Sequence, residues 1–209
     1  MAVTIERKPT PELRANMERA LDLEARGWAQ DLFTVPAMMA RLLQASPEEA
    51  NRAIDAIRDM LRQMWNARHI RFTCVAHPDS GAFVGYACTY EPPKVDGVTL
   101  QKIWIAPEFR GIGAGSDLMR VMLGRYPVMS LVCMPELIPF YERFGFVMGG
   151  HYHAHKGRHA PKSAAIYAGG VLMFRSNKNE IDGALMLFSD DDLRDILKAM
   201  DPPAGSIIA

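Results

Sequence analysis

Arg110-Gly111-Ile112-Gly113-Ala114-Gly115 sets a forked cation beside three glycines, directly after an apolar run and at the opening of a helical pattern. An anion can use such a junction. The first turn of a helix carries N–H groups without intrahelical partners and the positive end of the macrodipole. Glycines remove the Cβ atoms that would hold phosphate oxygens away from those groups, and an arginine at the rim adds a bidentate donor. The same run also serves as a plain strand-to-helix turn, and on the glycines alone the two readings stay level. Neither G-x-G-x-x-G nor G-x-x-x-x-G-K-[ST] is present, which excludes the familiar dinucleotide and nucleoside-triphosphate loops.

Other residues with chemical potential are weaker signals. "HYHAHKGRHAPK" (151–162) gathers four histidines and three cations. Extended, it would put His151, His153 and His155 on one face, the geometry of a three-histidine metal site. The simpler reading, a solvent-facing strand end with a basic loop, is preferred. A third is that these groups border a substrate cleft, binding an acidic substrate or supplying a base that titrates near pH ~6.5. Asp190, Asp191 and Asp192 read as helix capping rather than metal ligation, since acidic side chains favour a helix N-terminus. Cys74, Cys88 and Cys133 are odd in number and sit in apolar, strand-like contexts. They read as buried thiols in a reducing, cytoplasmic setting, not as a disulfide framework or a zinc site.

The elements that must hold these residues follow from periodicity. Thr10-Pro11 opens a helix with Leu13, Met17 and Leu21 on one face, expected to stop at Gly27. A second helix covers 36–45. Ser46-Pro47-Glu48-Glu49 is a capping box with proline at the first helical position, and Ala50, Ile54, Ile57, Leu61 and Met64 mark the buried face of the third. From residue 69 the character changes. "IRFTCVAH" (70–77), "GAFVGYACTY" (81–90) and "VTLQKIWIA" (98–106) are β-branched or aromatic runs separated by turn chemistry. A strand at 3–7 would precede them all. After the glycines come a helix to Gly124, a strand at 128–134, a helix at 135–146, a strand at 164–174, and a last helix capped by Ser189. The pattern predicts an α/β (or α+β) domain around a central mixed sheet.

Composition narrows the classes. With 24 basic and 24 acidic residues in 209 the chain has no overall field to draw it to nucleic acid or a membrane. No Lys/Arg stripe with interleaved aromatics appears. No apolar run approaches the ~18 residues of a membrane span, and the start lacks the apolar core of a signal peptide.

"IAPEFRGIGAG" (105–115) resembles the acyl-CoA-binding signature of the GNAT N-acetyltransferase superfamily through Ile105, Pro107, Phe109, Arg110, Gly111, Gly113 and Gly115. "LIPFYERFGF" (137–146) resembles that superfamily's later motif, most closely the version in arylalkylamine N-acetyltransferases. The resemblance covers residues 69–175 well and implies a GNAT fold: a mostly antiparallel, twisted sheet flanked by helices and splayed between strands four and five. Its implied organisation is a domain over 1–175, with the strand and helices of 1–68 before the sheet core, and a C-terminal extension over 176–209. It implies transfer of an acetyl group from acetyl-CoA to a primary amine, on a small molecule or a protein, with no metal. Arg110, Gly111, Ile112, Gly113, Ala114, Gly115 and Ser116 would hold the pyrophosphate. Backbone groups of Ile103, Trp104 and Ile105 would hold the pantetheine arm, and Tyr141 would protonate the leaving thiolate.

One departure stands out. Thr99 and Gln101 occupy the positions of two histidines in the arylalkylamine enzymes, and neither is a base at neutral pH. Deprotonation through waters, or an amine that arrives neutral, would then be needed. Glu91 is a candidate carboxylate helper, though a solvated turn residue is the simpler reading. The resemblance places acceptor specificity within 10–68 and allows a homodimer. The alternative from another class is a non-catalytic GNAT-fold module that binds CoA or a protein partner.

Overall fold

The structure, a computed structural model, describes residues 10–91, 97–153, 161–175 and 185–201. The strand expected at 3–7, and His155 and His159 of the histidine cluster, lie outside the described residues. Three helices come first, α1 (Pro11–Asp31), α2 (Pro36–Leu42) and α3 (Pro47–Asn66). Strands β1 (Ile70–Ala76), β2 (Phe83–Tyr90) and β3 (Val98–Ile105) follow, then α4 (Ala114–Arg125), β4 (Met129–Cys133), α5 (Ile138–Glu142), β5 (Val147–His151), β6 (Val171–Arg175) and α6 (Asp190–Met200). The six strands form one sheet in the order β1-β2-β3-β4-β6-β5, parallel only between β3 and β4. This is the mixed, mostly antiparallel sheet of the expected fold.

Two compact units emerge from the packing. Among the described residues, one comprises those within 1–21, 64–152 and 169–186, and the other those within 22–63, 153–168 and 187–209. The first contains the sheet. Its core packs Val75, Val84, Ala87, Leu100 and Leu131 with Leu118, Met119 and Met122 of α4, all nearly or fully buried. Each of these side chains except Ala87 contributes about 1.5–3 kcal/mol of burial. Ala114, Leu118 and Met122 recur every fourth residue along this buried stripe, which fixes how α4 presents its N-terminus.

The second unit is helical. Trp28 meets Phe188 edge-on at 4.7 Å and donates from Nε1 to buried Glu24 at 3.0 Å. Burial of Trp28 explains why α1 continues through Gly27 instead of stopping there, since it outweighs the ~1 kcal/mol a helical glycine costs. The predicted capping box at Ser46 is formed, and the predicted cap at Ser189 is a capping box as well. Glu49 accepts from Ser46 N at 2.7 Å and Ser46 Oγ from Glu49 N at 3.3 Å. Asp192 accepts from Ser189 N at 2.7 Å and Ser189 Oγ from Asp192 N at 3.1 Å.

The strand expected over 164–174 is only half realised. Lys162–Tyr167 is a 3-10 helix, and the strand starts at Val171 after Gly169, whose φ is +80°. Buried Ser163 holds the turn by donating to the Phe188 carbonyl at 2.6 Å. β5, with the sequence Val-Met-Gly-Gly-His, is a strand that periodicity did not mark.

Candidate active site

The site begins with a defect in the sheet. On β3, Leu100 faces Thr89 and Lys102 faces Cys88, so Gln101 is the extra residue of a β-bulge. A bulge bends its strand and sharpens the local twist. On the other side of β3 the parallel register with β4 runs Val98↔Met129, Thr99↔Ser130 and Leu100↔Leu131, and ends there. β3 continues to Ile105 and β4 to Cys133, so the two strands part beyond the bulge. This is the splay expected between the fourth and fifth strands.

Past Ile105 the chain makes a short 3-10 turn, Pro107–Phe109, and reaches the glycines. Gly111 and Gly113 have φ of +77° and +92°, the left-handed region that L side chains resist. A Cβ at either would meet nothing within 4 Å, so the space before the loop is open. Gly113 is the N-cap of α4 and offers no side-chain cap. The first backbone bond onto this turn runs from Asp117 N to the Gly113 carbonyl at 3.0 Å. The N–H groups of Ala114, Gly115 and Ser116 are thus the orphan donors of the helix start.

These groups border a cleft of about 360 Å³ lined by Ile105, Arg110, Gly111, Gly113, Ala114, Gly115 and Ser116. Phe109, Phe140 and Arg143 complete the lining. Arg110 Nε donates to the Ile105 carbonyl at 2.9 Å, which pins the loop to the end of β3 and leaves the rest of its guanidinium fork for an anion. Arg143 lies with Cζ 5.3 Å from the centroid of the Phe140 ring. A helix N-terminus, open backbone and two guanidinium groups are the kinds of group that an anion can use.

Not every expected residue lines the cleft. Ile112 is 64% exposed outside it, and the side chain of Trp104 turns the other way. Trp104 lies beside Tyr86 and Phe83, each with ring centroids 6.1 Å away, on the sheet face opposite α4. Ile103 packs with the core under α4. Only the backbones of Ile103 and Trp104 therefore remain as candidates for holding a ligand along the parted strand. Arg143 was missed by sequence reasoning, although it stands two residues after Tyr141 in the quoted motif. A cation at the end of a short helix was the available signal.

Tyr141 is buried in the core beside Phe140 (ring centroids 5.0 Å) and Phe146 (5.8 Å). Among the described residues its hydroxyl has no hydrogen-bond partner. Burial, with the Cys133 thiol nearby, pushes its phenol far above the ordinary value. Cys133 ends β4 at the splay, where burial raises its own thiol and Met173 Sδ accepts from it at 3.6 Å. Thr99 is buried with its Oγ1 3.1 Å from Ser130 Oγ, across the last paired stretch of β3 and β4. Glu91 sits at the opposite end of β3. It accepts from Tyr126 at 2.8 Å and pairs with Arg71 at 2.5 Å. The length of β3, roughly 3.3 Å per residue, separates it from the cleft. His151 ends β5, exposed, and His153 is exposed as well.

Residues 68–148 match the family model "Acetyltransferase (GNAT) domain". No curated protein sequence matches the chain. Among solved structures, a GNAT-family protein from Desulfovibrio desulfuricans is 20% identical, with 83% of this chain and 97% of that one covered and a TM-score of 0.47. A structure named for histone acetyltransferase HPA2 and related acetyltransferase from Corynebacterium glutamicum is 16% identical over 76% of this chain and 94% of that one, TM-score 0.47. An acyl-CoA N-acyltransferase from Pseudomonas aeruginosa is 17% identical over 51% and 68%, TM-score 0.40.

Proposed function

We propose, because residues 68–148 match the GNAT acetyltransferase family model, that this chain transfers an acetyl group from acetyl-CoA to a primary amine. One observation carries the reading: the open, glycine-lined N-terminus of α4 stands where β3 and β4 part. When bound, acetyl-CoA supplies an activated thioester. The backbone N–H groups of Ala114, Gly115 and Ser116, with the forks of Arg110 and Arg143, bind its pyrophosphate. The strand edge at Ile103–Ile105 takes the amide-bearing arm as an added strand would be taken. An N–H on that edge faces the oxygen on which negative charge develops.

Tyr141 holds a proton at its phenolic oxygen for the leaving sulfur. An ordinary phenol already keeps that proton throughout the physiological range, and burial, which raises the pKa of Tyr141, makes it a weaker acid that gives the proton up only to a strongly basic thiolate. No base stands at Thr99 or Gln101, so the amine loses its proton to solvent or arrives neutral. Acceptor specificity lies within residues 10–68 in this reading.

The test is thiol release from acetyl-CoA with a panel of small amines and lysine-containing peptides. Amine-dependent release at one or more acceptors is expected. Tight CoA binding without release on any of them would replace this reading with a non-catalytic CoA-binding module.

A further inference from the structure

A cavity of about 560 Å³, larger than the donor cleft, opens at the other end of β3 and β4. Three arginines line it from three separate elements: Arg68 in the α3–β1 link, Arg71 on β1 and Arg125 at the end of α4. Among the described residues a single carboxylate, Glu91, shares the lining, and its Oε1 is already committed to both Arg71 Nε and the Tyr126 hydroxyl. Arg68 and Arg125 have no anionic partner among the described residues. Arg125 lies with Cζ 5.1 Å from the centroid of Tyr126, which holds its guanidinium against an aromatic wall. Val98 and Val128 supply the apolar remainder.

Three guanidinium groups around one hollow, with one carboxylate among them, repel one another. Their summed field concentrates anions there. Arg68, with a φ of +63°, is the left-handed residue that caps α3: its N–H bonds the Trp65 carbonyl and the His69 N–H the Met64 carbonyl, both at 2.9 Å, and this cap fixes the backbone from which its side chain joins the lining. The volume of the cavity suits a small organic molecule.

We propose that this cavity binds a small organic oxyanion, held by the forks of Arg68 and Arg125 with its carbon skeleton against Tyr126 and Val98. Phosphate and carboxylate groups share this recognition chemistry, since both present paired oxygens to a guanidinium. The inference does not depend on the acyl-transfer reading, because the cavity and the donor cleft lie at opposite ends of β3.

The test is an amide NMR titration of the full chain at constant ionic strength, with inorganic phosphate in one arm and malonate in the other. Saturable shifts at Arg68–Arg71 and Tyr126–Met129 are expected in at least one arm, and the arm that responds assigns the ligand's anionic group. Arg125→Gln and Arg68→Asn should each weaken that binding about tenfold or more, while Arg110→Gln leaves it unchanged. Both substituted side chains are exposed, and asparagine tolerates a positive φ, so the variants are expected to fold. Shifts confined to Gly111–Ser116, or no saturable shift in either arm, would overturn the proposal. So would unchanged affinity in both cavity variants.

Discussion

Replacing Gly113 and Gly115 with alanine, one at a time, separates backbone geometry from space in the cradle. Gly113 has φ +92° and ψ −3°, and a Cβ there meets nothing within 4 Å. Crowding therefore adds nothing to the cost, which is the strain of an L-residue in the left-handed region, about 1–2 kcal/mol. For a chain of this size that lowers Tm by about 2–8 °C. Gly115 lies outside the left-handed region, and its Cβ would sit 3.8 Å from Ile105 Cγ1 and 3.9 Å from Phe140 Cζ, ordinary contact distances. Alanine there gains up to ~1 kcal/mol of helix propensity, so Gly115→Ala should be neutral or stabilising. Affinity for CoA should follow the open space. The methyl of Gly113→Ala projects where the phosphate oxygens belong and should cost at least about tenfold, or ~1.4 kcal/mol. Gly115→Ala, whose methyl packs on Ile105 and Phe140, should stay within about threefold. Thermal denaturation and calorimetry with CoA measure both quantities. Equal destabilisation by the two variants would refute the backbone argument, and normal CoA affinity in Gly113→Ala would remove the loop from the donor site.

Further outcomes can be checked with standard assays. Tyr141→Phe should lower kcat by ~10²–10³ with little change in KM for acetyl-CoA, because general-acid contributions fall in that range; unchanged steady-state turnover would make Tyr141 purely a core residue. Ser189→Ala removes the cap of α6 and should cost ~1 kcal/mol in urea denaturation. Glu49 is held down to a pKa of about 2, first by the Arg41 guanidinium and then by the Ser46 N–H. A depressed carboxylate stabilises the fold above its ordinary pKa of 4.5, and the contribution fades as pH falls towards 2. Glu49→Gln should therefore flatten the acid limb of the stability profile between those values, and an unaltered limb would count against the Arg41–Glu49 pair.

The sheet strands β1 to β4 were legible because each is a β-branched or aromatic run bounded by turn residues. The box at Ser46 and the cap at Ser189 were legible because capping is a local matter of side chain and nearby backbone. The loop and Tyr141 were singled out by their motifs, and the open left-handed geometry of Gly111 and Gly113 fits the anion-cradle reading of the loop. What stayed hidden depends on partners distant in sequence. β5 carries two glycines, and its pairing with β6 makes it a strand despite weak local preference. Helix α1 passes Gly27 because Trp28 is buried against residues far along the chain. The bulge at Gln101 exists only relative to Cys88 and Thr89, so no pattern within β3 announces it. Arg143 joins the cleft because α5 brings Phe140 beside Gly115, a tertiary contact.

The parting of β3 and β4 gives the sheet an edge in its own interior. Outer edges are guarded against stray pairing by charge, twist or cover. An inner one must be filled by something the chain does not encode. In the proposed role the donor is that missing piece, so the protein's working stability tracks the donor's concentration. At a hundredfold excess over Kd the gain is about 2.7 kcal/mol. Withdrawal of the donor should open this seam before any other part of the sheet, with hydrogen exchange quickening first at Ile103–Ile105 and at Val132–Cys133. Metabolic supply would then set how long the molecule survives as well as how fast it works.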